Sequence, residues 1–425
     1  MNIPELYRIF TQFPSVETDS RKIKQGSLFF ALKGPAFNGN RFARQALESG
    51  AAYCICDELT DIKDDRIIYT ADVLDTLQQM AKYHRLQFDI PFIAITGSNG
   101  KTTTKELVHA VLSEKYICYT TKGNLNNHIG IPLTLLSVKK DAEIAVIEMG
   151  ANHLHEIAGY CLYALPTHGL ITNCGKAHLE GFGSEEGVRK AKGELYDHIA
   201  ATGGTIFINT DYDYLREMSA KIKNKISYGT KDAQFTGEVL SNAHYPEYKI
   251  SGGVDIPLLQ TRLAGAYNLP NILAAAAIGK TFGVADEDIK HALEHYEPSN
   301  NRSQMMKLGS NTILLDAYNA NPASMKAAIE NFAAMPAPKK AVMLGGMMEL
   351  GKDSIAEHRA VIGLLEKYHW DTAAVAGKDF IDLPENIHHF NSADEMAAWF
   401  RQQQFENTLI LIKGSRGMAM EKLIE

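Results

Sequence analysis

Short apolar runs alternate with stretches of helical period along this chain, and the alternation changes character twice. In the first 86 residues, strand-like runs at Leu28–Leu32, Ala52–Cys56 and Ile67–Thr70 are interleaved with helical patterns at Phe42–Ser49 and Val73–Arg85, which predicts a small α/β unit. From Ile90 onward the runs Phe92–Thr96, Ile144–Met149, Gly169–Thr172 and Thr205–Asn209 are separated by helical stretches, the pattern of a parallel sheet with crossover helices. Lys225–Leu263 carries shorter alternating runs and more turn residues, and predicts an antiparallel extension of the same sheet. After Glu297-Pro298-Ser299-Asn300-Asn301 the pattern restarts. Strands are expected at Ile313–Asp316, Ala341–Gly345, Ala373–Ala376 and Thr408–Lys413, and helices at Ala323–Ala333 and Glu357–Tyr368, forming a second Rossmann-like unit without a GxGxxG turn. The expected fold class is α/β in three domains, at 1–86, 87–297 and 298–425.

Composition narrows the function more than the fold. The 425 residues are 45% hydrophobic and 22% charged, enough for three separate cores. With 43 basic and 50 acidic side chains the net charge is −7, which gives no footprint for nucleic acid or an anionic membrane, so the expected partners are small molecules. No apolar run approaches a membrane span, and Met1–Glu5 lacks the basic-then-apolar layout of a signal peptide, so a cytosolic enzyme is expected; a monomer is expected too, though no sequence feature fixes the oligomeric state. The five cysteines lack paired CxxC spacing, and Cys54 and Cys56 alternate along one strand, which reads as core thiols.

The richest local chemistry is Thr96-Gly97-Ser98-Asn99-Gly100-Lys101-Thr102-Thr103-Thr104, between the apolar segment Ile90–Ile95 and the amphipathic stretch Lys101–Lys115. Strand, glycine turn and helix N-terminus in that order make a phosphate cradle, where backbone N–H groups and the helix dipole face an anion. Lys101 would reach β/γ-phosphates and Thr102 a Mg²⁺ ion. Ile95 stands where the usual P-loop pattern has glycine, so this is a variant loop. Glu148 ends an apolar strand and would place a carboxylate beside the loop, and His178 follows the next strand on the same edge. A phosphate loop alone leaves kinases, ATPases, GTPases and ligases open.

Seven segments narrow that choice: Thr96–Thr104, Gly123–Gly130, Glu148-Met149-Gly150, Ala177-His178-Leu179-Glu180, Lys192-Gly193-Glu194, Tyr267-Asn268-Leu269-Pro270-Asn271 and Lys413-Gly414-Ser415-Arg416. Their order and spacing resemble the Mur ligase family over nearly the whole chain. Asp316–Pro322 and Leu344–Gly351 resemble the branch that joins D-alanyl-D-alanine to UDP-N-acetylmuramoyl-tripeptide, while the Asp-Asn-Pro-Arg motif of the diamino-acid-adding branch is absent. The resemblance implies a small UDP-binding α/β domain, a central P-loop ATPase-like domain and a C-terminal Rossmann-like domain, with ATP and Mg²⁺ as cofactors and an acyl phosphate as intermediate. A sister ligase using a different amine, of muramyl-peptide or folylpolyglutamate type, is the alternative; a non-catalytic nucleotide-binding scaffold is a more distant one.

The resemblance also implies residue roles. Gly97, Ser98, Asn99, Gly100, Lys101, Thr102 and Thr103 would bind the triphosphate, with Asn268, Asn271, Asp316, Tyr318 and Asn319 as further nucleotide contacts. Lys101, Glu148, His178, Lys192 and Arg302 would be catalytic, Arg302 approaching the γ-phosphate across the domain cleft. Thr102, Glu148, His178 and a carbamylated Lys192 would be metal ligands. Ser20, Arg21 and Asn38 match the UDP-sugar region, while Asn124, Asn126, Asn127, Asn321, Lys413, Ser415 and Arg416 would complete the substrate sites. At Lys413–Arg416 two cations and a helix N-terminus are expected to hold substrate carboxylates. Two positions depart from the family pattern: Asn301 stands where glycine is more common before the arginine, and Gly346 where this branch commonly has Asp.

Overall fold

The computed structural model describes residues 1–59, 61–298 and 301–425. Ser299 and Asn300, within the run expected to separate the last two domains, lie outside the described residues. The first unit is a parallel sheet ordered Val16–Glu17, Leu28–Phe30, Tyr53–Cys56, Ile67–Tyr69. The two-residue period along its strands divides it between two cores. Phe29, Ala31, Cys54 and Cys56 face one side, and Leu28, Phe30 and Ile55 the other. Burial pushes the Cys54 thiol up to about 12 and that of Cys56 to about 11, as inert core thiols require.

The second of these cores is not the first unit's own. Helix Val73–Arg85, capped by Asp72 accepting from Asp75 N–H, buries Leu77, Met80 and Ala81 in a cluster that continues through Phe92, Ile131, Leu135 and Tyr160 of the next unit. Arg85 seals the seam: it donates to Ala164 O at 3.1 Å, Leu165 O at 3.0 Å and Phe88 O at 2.9 Å, its guanidinium 3.8 Å from the Phe92 ring centre. His84 donates from Nε2 to Val138 O at 2.8 Å and accepts from the Tyr7 hydroxyl, so it is neutral, and burial lowers its pKa. Arg85→Ala strands buried carbonyls and is expected to cost about 3 kcal/mol, read as a lower urea midpoint; an unchanged midpoint would refute this account of the seam.

The second unit is a nine-stranded sheet ordered Ile256–Gln260, Glu247–Ile250, Phe235–Ser241, Asn224–Gly229, Thr205–Asn209, His168–Ile171, Phe92–Thr96, Ile144–Glu148, Cys118–Thr120. It is parallel except for the pairings made by Glu247–Ile250, so the expected antiparallel extension is present. The edge strand Cys118–Thr120, three half-buried residues, is one the sequence pattern missed. Helix Leu269–Thr281 is apolar on nearly every face and is buried with Leu107, Val108 and Val111 of helix Lys101–Ser113.

The third unit orders its strands Gln304–Leu308, Asn311–Asp316, Leu409–Lys413, Lys340–Gly345, Thr372–Ala376, Ile387–Phe390, with only the first pairing antiparallel. One expectation fails here. Beyond Leu409–Lys413 the chain makes only the short 3₁₀ turns Arg416–Met418 and Met420–Leu423, so no helix N-terminus stands at Lys413–Arg416. Among the described residues no helix is long and apolar enough to cross a membrane.

Candidate active site

The phosphate loop leaves the strand Phe92–Thr96 at the sheet's C-terminal edge and closes on helix Lys101–Ser113. Gly97 and Gly100 have φ of 143° and 80°. A Cβ on Gly97 would lie 2.0 Å from Thr172 Oγ1 and one on Gly100 2.6 Å from Asn271 Oδ1, so both positions need glycine for conformation and for space. The loop is seated on the segment after the neighbouring strand: Asn99 N–H donates to Asn173 Oδ1 at 3.0 Å, and Asn99 O accepts from Thr172 Oγ1 at 2.6 Å. Ser98 Oγ donates to Gly175 O at 2.9 Å. Lys101 Nζ donates to Gly97 O at 2.6 Å and Ser98 O at 3.2 Å, which holds the ammonium over its own loop. Burial lowers its pKa to about 8, with nearby Glu148 opposing and Arg302 reinforcing the shift.

Glu148 is 1% exposed at the end of the adjacent strand. Its Oε1 accepts from Thr102 Oγ1 at 3.1 Å and Asn126 Nδ2 at 2.8 Å, while buried Oε2 has no hydrogen-bond partner among the described residues. An unpartnered carboxylate oxygen beside a threonine hydroxyl suits a hard cation. No three His, Cys, Asp or Glu side chains cluster as a metal site among the described residues. Such a donor set suits Mg²⁺, which takes one or two carboxylates and completes its shell with phosphate oxygens and water. Of the four expected ligands, the structure brings Thr102 and Glu148 into contact. His178 Nδ1 is bonded to the Glu349 carboxylate of the third unit. Lys192, 1% exposed on helix Glu185–Thr202, donates to Ala151 O at 3.1 Å and sits 5.1 Å above the Phe182 ring. Burial, helped by the charge of Lys101, lowers the Lys192 pKa to about 7.

The third unit forms the opposite wall of a cavity of about 710 Å³. Loop residues Ser98–Thr103, then Asn124, Asn126, Asn127, Glu148, His178, Asn268 and Asn271, face Arg302, Asp316, Tyr318, Asn319, Asn321, Lys413, Ser415 and Arg416. Asn321 Nδ2 donates to Asn99 Oδ1 at 2.8 Å and ties the two walls together. Arg302 stacks on Tyr318 with its guanidinium 3.7 Å from the ring centre, and its buried Nε has no partner among the described residues. Arg416 is exposed, 5.5 Å from the same ring. Lys413 differs from expectation: it is buried and donates to Asp316 Oδ2 at 2.6 Å and Asn319 O at 3.2 Å, so its charge is spent inside the wall. Ser415 donates its hydroxyl to Gly346 O at 2.7 Å.

Several asparagines build the walls. Asn271 Oδ1 accepts from Thr104 Oγ1 at 3.0 Å, Asn271 Nδ2 donates to Asn268 Oδ1 at 2.9 Å, and Asn268 donates to Ala264 O at 2.8 Å. Asn127 Oδ1 accepts from Gly130 N–H at 2.8 Å at the start of helix Gly130–Ser137. Ser20, Arg21 and Asn38 do not line this cavity. Ser20 opens the turn Ser20–Lys22, exposed Arg21 pairs with Asp19 at 2.8 Å, and Asn38 accepts from Asn40 N–H and donates to Glu58 Oε2 at 2.8 Å. The sequence reading missed Thr172, Asn173, Tyr212, Tyr214, Glu156 and Glu349, all at the cavity. Thr172 and Asn173 lie at the end of a strand on the ligand edge, a signal that was available; Glu349 lies within the motif Leu344–Gly351, but nothing in that segment says that its carboxylate meets His178.

One departure has a local reason: Asn301 has φ of 55°, the left-handed region where asparagine is the usual substitute for glycine. At Gly346 a Cβ would lie 3.4 Å from Nε2 of buried His358, an ordinary contact, and that nitrogen accepts from Met347 N–H at 2.9 Å; nothing in the structure explains the glycine.

A variant phosphate loop facing an arginine-bearing Rossmann-like unit across one cleft is the arrangement of an ATP-dependent ligase, and similarity to known proteins is consistent with it. Residues 13–91 match the Mur ligase family catalytic domain, 95–279 the Mur ligase middle domain, and 301–416 the Mur ligase glutamate ligase domain. The UDP-N-acetylmuramoyl-tripeptide–D-alanyl-D-alanine ligase of Bacillus subtilis is 34% identical over 98% of this chain and 93% of its own. The ligase of the same name from Escherichia coli is 35% identical, covering 96% and 92%. Among solved structures, MurF from Acinetobacter baumannii superposes with TM-score 0.88 at 31% identity, covering 96% of this chain and 92% of that one. MurF ligase from Thermotoga maritima in complex with ADP gives 0.85 at 27% identity over 96% of each. The chain belongs to the Mur ligase family.

Proposed function

We infer that this chain is the ATP-dependent ligase that joins D-alanyl-D-alanine to UDP-N-acetylmuramoyl-tripeptide, giving the UDP-muramoyl-pentapeptide of peptidoglycan synthesis. Near-full-length similarity to ligases of that name supports the substrates. The observation that carries the chemistry is the cavity in which Lys101, Thr102 and Glu148 face Arg302 and Arg416 from another unit. On this reading it is a cytosolic monomer acting on small molecules, with working domains at 1–86, 87–297 and 298–425. Ser20, Arg21 and Asn38 bind the UDP moiety in the first of these.

A carboxylate is a poor acyl donor and must be activated. The tripeptide carboxylate attacks the γ-phosphorus of ATP, releasing ADP and leaving an acyl phosphate; the dipeptide amine then attacks the acyl carbon, and phosphate leaves as the amide forms. Lys101 and Arg302 place positive charge on either side of the transferring phosphoryl group, and positioning and electrostatics supply most of the rate. Thr102 and Glu148 would hold Mg²⁺, with His178 and a carbamylated Lys192 as further ligands, and the ion would supply positive charge to offset that of the transferring phosphoryl group. At Lys192, the neutral amine attacks CO₂, a C–N bond forms and one proton leaves to solvent. The lowered pKa favours that step by keeping much of the amine unprotonated near neutral pH. Docking of the third unit excludes water from the acyl phosphate.

The test is ADP release in a coupled assay. It is expected to require UDP-muramoyl-tripeptide and to reach full rate only with D-alanyl-D-alanine; full turnover with a different amine in its place would redirect the assignment to a sister ligase. Within this scheme Arg416, unlike the Asp316-paired Lys413, is free to bind a substrate carboxylate. Arg416→Ala is expected to raise KM for a peptide substrate about ten- to a hundredfold, with KM for ATP little changed. A defect confined to ATP would place the residue elsewhere.

A further inference from the structure

The segment Lys176–Glu180 of the second unit meets the third at three points, in the loop before the turn Gly351–Asp353 and in the first turn of helix Ser354–Leu365. Lys176 Nζ donates to Glu357 Oε1 at 2.7 Å, Glu180 N–H donates to Glu349 O at 3.2 Å, and the Glu349 carboxylate binds His178 Nδ1. His178 and Glu349 both have left-handed backbone, with φ of 51° and 62°, a conformation that ordinary residues keep where the surroundings impose it. An ionised carboxylate only accepts, so Nδ1 carries the hydrogen, and of the two neutral tautomers this contact selects the one whose lone pair is on Nε2.

We propose that Glu349 is a positioning residue: reaching across the cleft, it sets His178 in the Nδ1–H tautomer, so that Nε2 is offered to a divalent cation only when the third unit is docked. The inference rests on the reading of His178 as a metal ligand. A carboxylate behind a ligating imidazole fixes the ring and raises its basicity, and loss of such a partner typically costs ten- to a hundredfold in metal affinity or activity. Docking and assembly of the metal site thereby become one event, so the phosphoryl group is not transferred while the cleft is open to water.

The first readout needs no metal: ¹⁵N chemical shifts of histidine-labelled enzyme, with His178 assigned by difference from His178→Gln. Wild type is expected in the Nδ1–H form. Glu349→Gln, which keeps a neutral acceptor, should largely retain it, and Glu349→Ala should move to the Nε2–H form. Lys176→Gln removes a docking contact without touching the ring and serves as the control for docking alone. The second readout is the Mg²⁺ concentration for half-maximal turnover, expected to rise about ten- to a hundredfold in Glu349→Ala, less in Glu349→Gln, with KM for D-alanyl-D-alanine little changed. An Nε2–H ring in wild type, or a Glu349→Ala enzyme matching wild type in tautomer and Mg²⁺ requirement, overturns the proposal. If His178→Gln itself leaves the Mg²⁺ requirement unchanged, it is the ligand role of His178 that fails.

Discussion

Lys101→Ala is expected to lower ligation by about a thousandfold or more while the protein stays folded. On the proposed mechanism the rate falls because the variant removes a charge that would face the β/γ-phosphates, where removal of a single stabilising group costs about that much. The fold survives because the lysine is not a source of stability. Its folded pKa of about 8 lies below the ordinary lysine value of 10.5, so the unfolded chain holds the proton more tightly. The burial penalty is therefore fully present below about pH 8 and fades as pH rises toward 10.5. At neutral pH the alanine variant should melt at the wild-type temperature or slightly above it. Near-normal turnover at saturating ATP would remove Lys101 from the phosphate site; lost activity with a collapsed melting transition would instead mark it as structural.

The second large effect belongs to Lys192. Lys192→Ala is expected to be nearly inactive, down about a hundredfold or more, and a short carboxylic acid added to the assay should recover part of the rate by supplying the missing oxygen ligands. Wild-type enzyme should gain the intact mass of one CO₂, and the variant should not. The pH dependence follows from the same residue. As pH falls through about 7 the amine becomes protonated and can no longer attack CO₂, so activity should decline on the acid side, and added bicarbonate should help near pH 7 more than well below it. Wild-type-like turnover in Lys192→Ala would rule out the role, as would wild-type enzyme that is fully active without the CO₂ adduct.

The linear chain already determined most of the elements and their order. Helix Val73–Arg85 and strands Phe92–Thr96 and Thr205–Asn209 stand at the residues their periodicity predicts, because long, regular apolar patterns encode which face must be buried. The strand–glycine–helix layout of the phosphate loop was equally legible, since positive φ at Gly97 and Gly100 is a local requirement that the glycines announce, although the loop is also seated on Thr172 and Asn173. Strands Cys118–Thr120 and Gln304–Leu308 were not legible: both lie at sheet edges, where half-buried residues carry little periodicity.

Tertiary structure decided which charges remain available. Lys413 and Arg416 sit three residues apart and looked like a pair of substrate cations, yet the strand pairing of Asp316 with Lys413 places a carboxylate at the first and leaves the second in the cavity. The same holds for His178, whose partner Glu349 is far along the chain, and for Lys192, whose lowered pKa comes from burial and from Lys101. It holds as well for helix Val73–Arg85, whose apolar face was plain in sequence but whose partner surface belongs to the next unit. Periodicity records what a segment must bury; which group meets it, and whether a charge is neutralised or left free, depends on contacts between residues far apart in the chain, and those exist only once the units have packed.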